Sequence, residues 1–212
     1  MRSNLRFALS AVLAAVVFGV GYVVPIMIPG AGNTIDKDFT NFYSSDQKMG
    51  TAVLLFFVLV AGSLIMLWFF NELRARLPEG MLSRVGYAAA VVGVIAVPAG
   101  VAIMAGPLGA QQNSTASTAG FVGIPIAHSF AQAGLFLTLG LGMTGFALAT
   151  LMFSLAARGG ALLPNWLVIV GVILAVLTLG SLLWIPGYAF VIWVLIVGII
   201  AGTRGDEAVT FA

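Results

Sequence analysis

The chain has 212 residues, of which 61% are hydrophobic and 8% charged, with a mean hydropathy of +1.12. Soluble domains carry about 25% charged residues, so this composition excludes an ordinary soluble domain and points to an all-α, polytopic transmembrane helical bundle. A net charge of +2 is too small to recruit nucleic acid. The absence of cysteine excludes disulfides, thiolate catalysis and iron–sulfur clusters, and a single histidine cannot build a multi-histidine metal or haem site. No metal or cofactor is expected.

A hydrocarbon core of ~30 Å takes ~20 helical residues, which divides the chain into six spans of one transmembrane domain, at about 7–28, 50–70, 85–106, 127–154, 163–184 and 188–202. Arg2 and Arg6 precede the first run, which exceeds the roughly 7 to 15 apolar residues of a signal-peptide core and reads as a span. Pro25 and the Pro29, Gly30 pair close it. The polar stretch 31–49, with Asp36, Asp38 and Asp46 beside Lys37 and Lys48, reads as a solvent-facing loop. The second span carries the interfacial Trp68 and ends among Asn71, Glu72, Arg74 and Arg76, where Glu72 reads as a locally paired surface carboxylate. Pro78, Glu79 and Gly80 turn the chain.

In the third span Gly86, Gly93 and Gly100 recur seven residues apart and so share a face, while Pro98 is a candidate kink. A small-residue polar loop spans 107–125; Asn113, Ser114 and Thr115 match a glycosylation pattern but read as solvated linker. The fourth span closes at Arg158. Leu162 to Gly202 is long enough at ~1.5 Å per residue for two crossings, and Pro186 with Gly187 supplies the break. Arg2, Arg6, Arg74, Arg76, Arg84, Arg158 and Arg204 then share one side against Lys37 and Lys48 on the other, which predicts cytoplasmic termini.

The polar residues inside this apolar pattern are concentrated in the stretch from Gly120 to Arg158. His128 and Gln132 lie one helical turn apart, with Ser129 adjacent, near the outward end of span four. Tyr22, Ser181, Trp184 and Tyr188 are expected at a similar depth. Two readings stand: a helix end satisfied by loop carbonyls and an ordinary aromatic belt, or an outward-facing pocket for a small lipophilic ligand. No Asp, Glu, Lys or Arg lies centrally in any span, which argues against a charge-coupled pump, and no P-loop, dinucleotide or zinc-protease motif is present. No catalytic residue is assigned.

Small-residue stripes at Ala11, Ala15 and Gly19, at Gly86, Gly93 and Gly100, and at Gly198 and Gly202 suit close helix packing, within the bundle or between subunits.

The order of a Pro-Gly-terminated first span, a polar outer loop, a second span running into WFFNELRARLPEG at 68–80, and four further apolar spans resembles a family of uncharacterised six-to-seven-span actinobacterial integral membrane proteins. That resemblance implies a helical bundle in a bacterial plasma membrane and no particular reaction. The leading expectation is a non-enzymatic protein of the lipid bilayer, self-associating or serving as a subunit with a membrane-protein partner. The alternative is a binder or carrier of a small lipophilic molecule around His128 and Gln132, and a membrane-embedded enzyme stands third.

Overall fold

A computed structural model describes residues 2–29, 36–107, 124–158, 162–180 and 188–203. In chain order they form α1 (Arg2–Gly21), α2 (Val24–Met27), α3 (Asp36–Tyr43), α4 (Asp46–Arg76), α5 (Met81–Met104), α6 (Ile124–Leu135), a π-helical segment (Phe136–Met143), α7 (Thr144–Ala156), α8 (Asn165–Leu179) and α9 (Ala189–Thr203). The described residues contain no strand. Four helices are long and apolar enough to cross a membrane: Asn4–Met27, Asp46–Arg76, Met81–Met104 and Ile126–Ala156. Two shorter apolar helices, α8 and α9, follow.

Local chemistry explains where the helices depart from the sequence expectation. The first helix breaks at Tyr22 and Val23 because Pro25, in the opening turn of α2, has no N–H to offer the Gly21 carbonyl. The stretch expected as a loop at 31–49 instead holds α3 and the first turn of α4. In α3, Phe39, Phe42 and Tyr43 are buried while Asp38 and Asn41 are exposed, an i, i+3, i+4 apolar face that needs a surface to lie on. Ser45 then caps α4: its hydroxyl accepts the Lys48 N–H at 3.4 Å, and Asp46 adds negative charge to the first turn. The linker 108–123 and the Pro186, Gly187 hairpin lie outside the described residues.

The helices pack as a closed ring. α1 lies between α4 and α9, α9 neighbours α8, α8 packs on α7, α7 on α5, and α5 on α4. The backbone of α5 comes unusually close to span four. A Cβ on Gly145 would lie 2.7 Å from the Gly93 nitrogen, and one on Gly134 would run into the Gly100 carbonyl. Gly142 faces Val97 in the same seam, whereas Gly140 looks into open space.

The π-helical segment belongs to this seam. Its wider turn places Gly134, Thr138 and Gly142, four residues apart, along the face toward α5. Thr138 donates its hydroxyl to the Val97 carbonyl at 3.5 Å, immediately before Pro98. Proline removes one helical donor at that level of α5, so two adjacent helices depart from regular hydrogen bonding at the same level.

Aromatic rings fill the axis of the ring of helices. Phe146 stacks on Phe190 at 4.2 Å, and Phe18 meets both edge-on at 5.4 and 5.5 Å. The column continues through Phe70 and Phe69 to Phe7 at one end, and through Tyr22 to Tyr188 at the other. Stacked and edge-to-face contacts of this kind contribute about 0.5–1.5 kcal/mol per pair beyond area burial.

Candidate functional site

At the end of the column marked by Phe7, the arginines gather. Arg76, at the last turn of α4, donates from Nη1 to Asn4 Oδ1 at 2.9 Å and lays its guanidinium over the Phe7 ring at 4.5 Å. Arg74 covers Tyr87 at 5.1 Å. These contacts tie α1 and α5 to the end of α4 through cation–π attraction and one charge-assisted hydrogen bond. Beside them a cavity of about 200 Å³ is lined by Asn71, Arg74, Leu77, Glu79, Ser83 and Arg84. Ser83 Oγ is occupied in the turn, accepting the Gly80 N–H at 3.3 Å and lying 3.0 Å from the Gly80 carbonyl.

The opposite end carries the histidine. His128, half-buried on α6, sets its imidazole 4.2 Å from the Phe39 ring at a 47° tilt. Phe39 is fully buried and stacks on Tyr43 at 6.5 Å, one turn further along α3; Phe42 meets Tyr43 edge-on at 5.2 Å. The apolar face of α3 therefore roofs the start of span four. Burial of Tyr43 pushes its phenol up to about 12.

The expected pocket residues divide between two environments. Tyr22 and Tyr188 meet edge-on at 5.6 Å, and Tyr22 is only 1% exposed, so its ring belongs to the packed axial column rather than to an open pocket. His128 belongs with Phe39 under α3. Ser129 and Gln132 lie on the exposed side of α6, away from the buried face formed by Ala127, Ala131 and Gly134. Ser181 and Trp184 lie outside the described residues.

The packing glycines all face partners in their own chain. Gly86 faces Met152 and Phe153, Gly93 the Phe146 ring at 2.7 Å from a built Cβ, and Gly100 both Gly134 and Thr138. Gly198 and Gly202 face Ala11 and Ala8 of α1, and Gly19 lies 3.7 Å from Val191.

Two features had no place in the sequence reading. Gly171 on α8 faces Ser154 Oγ and Trp193 Nε1, both buried and without a hydrogen-bond partner among the described residues, so its missing side chain leaves room for these polar atoms from α7 and α9. The second is the outward face of α4. Gly50, Leu54, Phe57, Ala61, Leu64 and Trp68 are all exposed and follow one another at spacings of four and three. That heptad spacing is legible in the sequence, but burial is needed to show that it faces outward.

No protein-family model matches the chain, no curated protein is similar to it, and no solved structure shares a detectable match.

Proposed function

We propose that this chain is a six-span, non-enzymatic protein of a bacterial plasma membrane, with both termini cytoplasmic, that acts by self-association through α4. One observation carries the reading: the 4-3 stripe of exposed Gly50, Leu54, Phe57, Ala61, Leu64 and Trp68 on the least buried of the four long helices. Lipid tails are as apolar as leucine, so burial alone gives two such helices little reason to pair. Packing does: Ala61, flanked by Phe57 and Leu64, leaves a recess at mid-stripe, and two copies crossing at about +20° can interlock across it. The aromatic axis favours a role at the perimeter, because a central path would have to displace stacked, fully buried rings. The seven arginines at the terminal side support the orientation.

The absence of native cysteine makes the test clean. Single cysteines at Phe57 and Leu64 are expected to form intermolecular disulfides in native membranes, while one at Ile173, exposed on α8 away from the stripe, is not. Equal cross-linking at all three, or none at Phe57 and Leu64, contradicts the reading.

A second reading, capture of a small lipophile near His128, draws on the roof that α3 forms through Phe39. His128→Ala and Gln132→Leu should each weaken such a ligand in a thermal-shift screen of lipids and small lipophiles. A ligand indifferent to both changes would remove this reading.

A further inference from the structure

Between α7 and α8 the surface opens into a groove of about 550 Å³, lined by Leu155, Arg158, Asn165, Val168, Ile169, Val172 and Ile173. The residues from α8 sit at i, i+3, i+4, i+7 and i+8, so they form one continuous stripe. Its composition changes along its length. Asn165 stands at the start of α8 beside Arg158, and four β-branched aliphatic side chains follow over ~12 Å of helix at ~1.5 Å per residue. Ile169 and Ile173 are 61% and 53% exposed, so the wall is open to the side.

We infer that this groove seats an anionic phospholipid, its headgroup phosphate on Arg158 and Asn165 and one acyl chain along Val168, Ile169, Val172 and Ile173. Charge selects the headgroup: among the described residues the lining holds one cation and no carboxylate, and guanidinium with a side-chain amide offers several donors to phosphate oxygens. The cavity between α4 and α5 also holds arginine and asparagine side chains, but the carboxylate of Glu79 lines it with them, and Arg74 is already laid over Tyr87. Depth selects a lipid over a free anion. The polar end lies at the arginine side of the bundle, and the aliphatic wall runs from it toward the opposite side, as a phospholipid of that leaflet is arranged.

The inference rests on membrane insertion, which alkaline extraction of membranes reads separately; a protein released by alkali would fail the insertion reading itself. The test uses the full-length protein in mild detergent, titrated with phosphatidylglycerol or phosphatidylcholine and read by native mass spectrometry. The parent is expected to retain phosphatidylglycerol about tenfold better, a preference worth about 1.4 kcal/mol. Arg158→Gln should abolish that preference, and Arg74→Gln should leave it unchanged. Val172→Phe, which narrows the groove without touching charge, should lower retention of both lipids and keeps the test decisive if Arg158→Gln misfolds. Inorganic phosphate at millimolar concentration should not compete; full competition would show an anion site without a chain groove and overturn the assignment. Equal retention of the two lipids by the parent, or a preference that survives Arg158→Gln, would also overturn it.

Discussion

Two faces of this molecule mix small and large apolar residues at similar spacing, and they differ in what lies against them. Along α5, the glycines at 86, 93 and 100 meet span four so closely that an added carbon at Gly145 or Gly134 would strike backbone. Along α4, Gly50 faces open space and Leu54, Phe57 and Leu64 are each more than 60% exposed. The first face is consumed in building the monomer, and the second is left over. Small-residue spacing therefore identifies where backbones can approach, but whether the neighbour is the same chain or another copy depends on which helices the ring has already paired.

The largest break in this contrast comes from filling the α5 seam. Gly100→Leu would drive a side chain into Thr138 and Gly134, where the obstacles beyond the Thr138 hydroxyl are backbone atoms that cannot rotate away, and it should abolish recovery of folded protein from membranes. Recovery of a parent-like, heat-stable protein would show that the seam yields. Gly171→Ala is milder. Its methyl group would meet side-chain atoms of Ser154 and Trp193 rather than backbone, and should cost about 1–3 kcal/mol, read as a lowered thermal midpoint. No change in midpoint would place these atoms elsewhere.

A smaller effect is expected at the roof formed by α3. Tyr43 has its folded-state phenol raised to about 12 from an ordinary 10, so burial favours the neutral form. Its contribution is complete below pH 10 and is lost as pH rises through about 12, because only the unfolded chain ionises freely in that window. Tyr43→Phe should flatten this part of the stability profile, as followed by hydrogen exchange of α3 amides between pH 9 and 12. An unaltered alkaline slope in the variant would assign the loss to other groups.

The helical architecture was legible because apolar run length is a strong signal in a membrane-compatible chain. The four long helices follow from the runs themselves, and Pro25 and Pro78 mark where the chain leaves them. The polar stretch at 31–49 was harder. Phe39, Phe42 and Tyr43 form an apolar face only when wound as a helix, and their short run is masked by the Asp, Lys and Asn residues around it. The π-helical segment was unreadable for a different reason: its wide turn is coupled to the close approach of α5, a tertiary event, while LGLGMTG alone suits a regular helix as well. His128 stands out in the sequence as the polar exception in span four, yet its neighbour Phe39 comes from a segment read as loop. Tyr22 and Tyr188 were grouped with it by depth, and depth does not distinguish the axis of a bundle from its rim.

The contrast between the consumed and the unspent face is tested most directly by the mass of the Ala61→Phe variant in lipid nanodiscs. Ala61 lies mid-stripe on the exposed side of α4 and takes no part in the buried core. A bulky ring there should fill the recess between two copies without disturbing the bundle, so the parent is expected as a dimer and the variant as a monomer with the same thermal midpoint. A parent that is already monomeric, or a variant that remains dimeric at full stability, would contradict self-association through α4.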